Sequence, residues 1–309
     1  MALSLKDLSE KPEIICNGHR LCAGCGAGVV VRQIMMAADK PLVIANATGC
    51  LEVTTSIYPY SNWNQSWIHS AFENAAATIG GVESAYRALR RFGELDDEFR
   101  FIAFGGDGGT FDIGLQSLSG ALERGHRFVY VCYDNEAYMN TGIQRSSATP
   151  LGAWTTTSPV GKAVAGKLRP RKNLTEIAAA HHIPYVAQAS PSNWRDLVAK
   201  AQKALNADGP AFLNVLAPCI AGWRYDPEQT IQMARLAVDT CYWPLYEIED
   251  GKYRITYTPK EKKPVAEWLK PQGRFRHLFD PANKHLLDGL QEQVDREWEA
   301  LKRRAQAGE

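Results

Sequence analysis

Short apolar runs alternate with stretches of helical periodicity along most of the chain. Residues 41–45, 100–104, 127–133 and 211–216 are rich in β-branched or aromatic side chains and show no polar face, the pattern of strands covered on both sides. Between these runs, Ile113, Leu115, Leu118 and Leu122 recur at helical spacing after Gly109, and Leu174, Ile177 and Ala178 do so behind Asn173, a good N-cap. Ser192 is placed to cap a further stretch carrying Trp194, Leu197, Val198 and Ala201. The alternation predicts an α/β fold, a doubly wound, mostly parallel sheet with helices on both faces, whose ligands bind beyond the carboxyl ends of the strands.

After Cys219 the pattern changes. A helical segment near 228–238 leads to two strand-like runs within 245–257, joined by Asp250-Gly251, a hairpin turn pair. From about Ala282, Leu286, Leu287, Leu290, Val294, Trp298 and Leu301 line one face of a charged helix. Residues 1–225 are therefore expected to hold the main domain, and 226–309 to form an extension packed on that core or on partner subunits.

Charge narrows the partners. Lys+Arg 35 against Asp+Glu 34 leaves a net charge of +1, with no global pull towards nucleic acid or an anionic membrane. The N-terminal stretch MALSLKDLSE has no basic segment followed by an apolar one, and no apolar run approaches the roughly 18 residues of a membrane span. A cytoplasmic protein is expected.

Two polar clusters fall at predicted strand ends. One is Gly105-Gly106-Asp107-Gly108-Gly109 and the other Asp134-Asn135-Glu136-Ala137. Glycines at such a point let backbone N–H groups approach phosphate oxygens, and a carboxylate with an amide oxygen suits Mg²⁺, which takes a few protein oxygens beside those of a phosphate. Ordinary turn chemistry competes with this reading. A nicotinamide-binding turn is a minor alternative, because Phe111 stands where the third glycine of G-x-G-x-x-G belongs.

Gly106-Asp107-Gly108 followed by Asn135 resembles the thiamine-diphosphate motif, and Tyr138-Met139-Asn140-Thr141-Gly142 is similar to the β subunits of 2-oxoacid:ferredoxin oxidoreductases, closest to those acting on pyruvate. The likeness runs through 47–59 and 69–81 and on to Trp223, covering nearly the whole chain. It implies that Asp107, Asn135 and the carbonyl of Ala137 hold Mg²⁺. It implies further that Cys50, Gly106, Gly108, Gly109, Glu136, Tyr138, Met139 and Asn140 cradle the cofactor, with Asn140 facing the substrate.

Seven cysteines is an odd number, and Cys22-x-x-Cys25 taken alone serves zinc sites, redox pairs and clusters alike. Cys50 and Cys219 each end a strand-like run, so four loop thiols can converge on Zn²⁺ or on a [4Fe–4S] cluster, and spacing does not separate the two. The resemblance implies the cluster, ligated by Cys22, Cys25, Cys50 and Cys219. Cys132 reads as a small buried hydrophobe, and Cys16 and Cys241 as bystanders. His69 reads as a capping or packing residue before a helix, with a general-base role as the alternative, and His181-His182 lacks metal-ligand company.

The family's chemistry is oxidative decarboxylation of a 2-oxo acid, with coenzyme A taking the acyl group and electrons leaving through iron–sulfur clusters to ferredoxin. Its partner subunits are a pyrimidine-activating α-type, a γ-type and a ferredoxin-like δ-type chain. Single-chain relatives have glutamate where Ala27 stands here, and the glutamate that activates thiamine lies on another subunit. Other acids (phenylglyoxylate, oxalate), a thiamine decarboxylase passing no electrons and a non-catalytic cluster-binding subunit are the competing functions.

Overall fold

The computed structural model describes residues 4–307, so the first three residues of the N-terminal stretch weighed above lie outside it. Eight strands form one sheet: β1 (Leu42–Ala47), β2 (Ser66–Ser70), β3 (Arg100–Gly106), β4 (Val129–Asp134), β5 (Tyr185–Ala189), β6 (Ala211–Leu216), β7 (Leu245–Glu249) and β8 (Lys252–Tyr257). Their order is β2-β1-β3-β4-β6-β5-β7-β8. The first six run parallel, and β7 and β8 add an antiparallel hairpin alongside β5.

Side-chain alternation along β4 shows why the fold needs helices on both faces. Val129, Val131 and Tyr133 point into a core closed by the helices Gly26–Met35 and Trp194–Asn206, while Tyr130 and Cys132 point into the opposite one. That second core is closed by Ala75–Arg91, Leu115–Glu123, Leu174–Ala179, Thr230–Asp239 and, farther out, Lys284–Ala307. On the last helix Leu290, Val294, Trp298 and Leu301 are buried, the face the periodicity marks, while Leu286 and Leu287 are half-buried.

Asn173 caps its helix as expected, its side chain accepting from the Glu176 N–H at 3.2 Å. Ser192 does not. Asn193 takes the cap position, and the Ser192 hydroxyl donates to the Asn193 amide oxygen at 2.9 Å, so it is spent on its neighbour rather than on the helix. Two strands that the apolar pattern does not mark, β2 and β5, are also present.

The chain leaves β1 outward to β2 and returns past β1 to β3, so the winding direction reverses between β1 and β3. Crevices at such a reversal are where open parallel sheets bind ligands. No helix among the described residues is long and apolar enough to cross a membrane.

Candidate active site

A cleft opens at the carboxyl ends of β1, β3 and β4. Its walls include Cys50, Gly106, Gly108, Gly109, Asn135, Ala137, Tyr138, Met139 and Asn140, nine of the residues expected to hold cofactor. After β1 the chain turns through Thr48 and Gly49 into the short helix Cys50–Thr55. After β3, Asp107 leads into a wide π-helical turn, Gly108–Ile113, of a kind that often marks functional sites. A Cβ on Gly108 would lie 2.4 Å from the Tyr138 ring, so only glycine lets the two strand-end loops close on each other.

Asp107 lies beneath the cleft floor, 1% exposed. One carboxylate oxygen accepts from the Ser146 hydroxyl at 2.5 Å and the other from the Asn135 N–H at 3.3 Å. The Asn135 side-chain oxygen faces only acceptors: the atom in its place lies 2.8 Å from the Ala137 carbonyl oxygen and 2.8 Å from Asp107 Oδ1. Turned over, the amide nitrogen donates to both oxygens and satisfies them; with its oxygen kept in place, the three oxygens suit a cation between them. The charge count agrees. Asp107, Asp134 and Glu136 form a buried group of three carboxylates, served by the two guanidinium groups of Arg171 and Arg274. Burial, and then the neighbouring Asp134, push the Asp107 carboxyl well above the usual carboxylate range, as expected for a charge lacking its counter-ion. Tyr133, also in the wall, is buried and its hydroxyl finds no hydrogen-bond partner, leaving a donor for a bound molecule. These donors fit a Mg²⁺-bound diphosphate.

Glu136 departs from the cradle expected of it. Its side chain is wholly buried away from the cleft, accepting from Arg171 Nη1 (3.1 Å), Arg274 Nη2 (2.5 Å) and the Tyr242 hydroxyl (2.7 Å). The backbone at Glu136 is left-handed, φ 69°, which swings successive residues of the loop to opposite sides.

Of the four cysteines singled out by the sequence, Cys50 lines this cleft, and Cys22, Cys25 and Cys219 lie near enough to influence its charge. The Gly26 N–H donates to the Pro218 carbonyl at 3.0 Å, and a Cβ on Gly26 would meet Pro218 at 2.6 Å, so the Cys25 and Cys219 turns are pressed together. Burial and the nearby Cys219, Cys25 and Cys22 sulfurs push the Cys50 thiol up to about 12, with a hydrogen bond from Asn140 opposing. Cys219 likewise feels Cys25 and Cys22. Cys22 is exposed and the other three are half-buried. Among the described residues no three His, Cys, Asp or Glu side chains are arranged around a single metal ion. Cys132 and Cys241 are buried in the apolar core, and Cys16 is exposed.

Thr48, Gly49, Phe72 and Tyr133, to which the sequence assigns no role, also line the cleft, as does Thr141 of the quoted Tyr138–Gly142 segment. Thr48 and Gly49 lie within 47–59, a segment already marked by resemblance, and Phe72 within 69–81. His69 sits on β2 rather than at a helix start, its Nε2 2.7 Å from the Thr48 hydroxyl and 3.8 Å from Glu52.

The family described as "Thiamine pyrophosphate enzyme, C-terminal TPP binding domain" matches residues 47–215, which take in β3, β4 and the turn that leaves β1. The pyruvate synthase subunit PorB of Thermotoga maritima is 56% identical over 97% of this chain and 96% of its own. The chain belongs to the β subunits of the 2-oxoacid:ferredoxin oxidoreductase family. As such it is one subunit of an oxidoreductase complex, and thiamine diphosphate is its cofactor. The ketoisovalerate oxidoreductase subunit VorB of Pyrococcus abyssi is 45% identical over 94% of this chain and 92% of its own. A chain of the 2-oxoglutarate:ferredoxin oxidoreductase from Magnetococcus marinus shares the fold, with TM-score 0.56 and 20% identity over 73% of this β subunit and 81% of that chain.

Proposed function

We propose that this β subunit binds thiamine diphosphate with Mg²⁺ and one [4Fe–4S] cluster, and that its complex carries out coenzyme A-dependent oxidative decarboxylation of pyruvate, passing electrons to ferredoxin. Asp107, the Asn135 amide oxygen and the Ala137 carbonyl would hold the Mg²⁺, and Cys22, Cys25, Cys50 and Cys219 the cluster. The observation that carries the reading is the double position of Cys50. It lines the cofactor cleft and lies within electrostatic reach of the other three thiols. A one-electron acceptor held there would border the thiamine, as the chemistry requires.

When bound, thiamine diphosphate would supply the nucleophile for the keto carbon and the cationic ring that takes up the electron pair left as carbon dioxide departs. The chain's own residues do the rest of the positioning. Gly108 and Gly109 line the cleft, and their backbone N–H groups would serve the diphosphate. Asn140, exposed in the wall of the cleft and near enough to Cys50 to bear on its thiol, would face the substrate. Residues 1–225 carry both sites, while 226–309 buttress them and meet partner subunits of the α, γ and δ types, in a cytoplasmic enzyme.

The test is to purify the complex, measure iron, sulfide, Mg²⁺ and thiamine together, and repeat this with Cys219→Ser. The substitution should remove iron, sulfide and the visible absorbance of a thiolate-ligated cluster while leaving thiamine bound. A cluster signal that survives it would overturn the ligand set. A second acid is favoured by one specific finding, the 45% identity to a subunit named for ketoisovalerate. Turnover of a panel of 2-oxo acids decides between the branched acid and pyruvate.

A further inference from the structure

The metal loop is held from outside the thiamine domain. Glu136 is a side-chain-bearing residue at φ 69°, a conformation left to glycine or asparagine in most proteins, and it lies between the two residues whose oxygens converge on Asp107. If its turn relaxed, the Asn135 amide and the Ala137 carbonyl would no longer point to one place. Three side chains grip its carboxylate. Two of them, Tyr242 and Arg274, belong to the segment beyond residue 215, where the thiamine-domain match ends.

We propose that Tyr242 and Arg274, with Arg171, are positioning residues for the metal: by fixing the Glu136 carboxylate they hold the loop in its metal-binding form, so the C-terminal segment sets the Mg²⁺ affinity of the diphosphate site. This rests on the Mg²⁺ reading above. Each gripping residue is itself fixed. The Tyr242 ring stacks on Trp268 at 3.9 Å, and Arg274 lies 4.2 Å over the Trp223 ring with its Nε donating to Gln272 at 2.9 Å. Trp223 in turn donates its indole N–H to the Asn135 carbonyl at 2.8 Å, a second tie on the same loop from the same segment. The Thr149 hydroxyl closes the remaining side by donating to the Glu136 carbonyl at 2.7 Å. Such outer partners of metal ligands govern affinity without touching the metal.

The experiment uses the assembled complex, stripped of metal and cofactor with a chelator. Mg²⁺ is titrated at fixed thiamine diphosphate, and bound thiamine is read by equilibrium dialysis. Tyr242→Phe removes one hydroxyl donor and leaves the ring and all charges in place. Glu136→Gln with Arg274→Gln removes an ion pair without leaving an unpaired buried charge. The Mg²⁺ half-saturation concentration should rise about 10-fold in the first and towards about 100-fold in the second, the usual range for outer-sphere losses. The thiamine bound at saturating Mg²⁺ should match the unsubstituted complex. A role in packing alone lowers the unfolding temperature without moving the half-saturation point, and that result overturns the proposal. Should the double variant fail to assemble, Tyr242→Phe alone decides. Thiamine binding that is independent of Mg²⁺ in the unsubstituted complex overturns the metal reading, and this proposal with it.

Discussion

At Gly108 the β3 turn and the Tyr138 ring are too close to admit any side chain, and this contact joins the two halves of the cofactor cleft. A Cβ there meets three ring atoms at 2.4 to 2.6 Å, so Gly108→Ala must push Tyr138 outward and widen the cradle. We expect a stability loss of about 1–3 kcal/mol, the usual cost of overpacking, together with weaker thiamine diphosphate binding, both measurable by thermal unfolding with and without cofactor. Unchanged cofactor affinity would show that the loops do not depend on this contact. Asp107 and Asn135 were legible in the sequence because a strand end followed by glycine and a hard ligand is a local pattern. Glu136 was not legible in the same way. Its neighbours in sequence face the cleft, but a left-handed backbone turns its carboxylate inward to Arg171 and Arg274, residues 35 and 138 positions away. Tyr133 escaped for a different reason: nothing in an apolar strand tells which hydroxyl will be left without a partner.

Among the elements, the buried parallel strands were easiest to see, since burial on both faces leaves an uninterrupted apolar run. β6 spans the same residues as its run, 211–216. β2 was missed because it is an edge strand with no buried side chain and with Ser66 and His69 polar and exposed, and its single neighbour β1 supplies the order that its sequence does not advertise. β5 is buried but only five residues long, and Gln188 interrupts its run. The hairpin turn is the element most open to a clean test. Asp250 and Gly251 both have positive φ, 48° and 79°, as a two-residue turn between twisted strands requires. A Cβ on Gly251 meets nothing within 4 Å, so Gly251→Ala isolates backbone strain from packing. It should cost about 1 kcal/mol, read as a lower urea midpoint with an unchanged slope. A neutral substitution would mean that the β7–β8 turn adopts another form in solution.

For the molecule as a whole, the cleft carries polar groups suited to a cofactor and no acid among its described lining residues. Its walls offer glycine N–H groups, the Asn135 amide, Ala137, the unpartnered Tyr133 hydroxyl and Asn140. Asp107 lies under the floor and is committed to Ser146 and the Asn135 loop. Thiamine needs a carboxylate at its pyrimidine ring to become a nucleophile, and the resemblance drawn from the sequence implies that this glutamate lies on another subunit. Electrostatic and acid–base assistance of this kind acts only through groups in contact with the reacting cofactor, so a chain that lacks the group binds without reacting. The isolated β subunit should therefore take up thiamine diphosphate in a Mg²⁺-dependent way, yet release no carbon dioxide from carboxyl-labelled pyruvate; release should begin when the other subunits are added back. Labelled carbon dioxide evolved by the isolated chain would show that the activating group is present on this subunit after all, and the division of the active site between subunits would have to be redrawn.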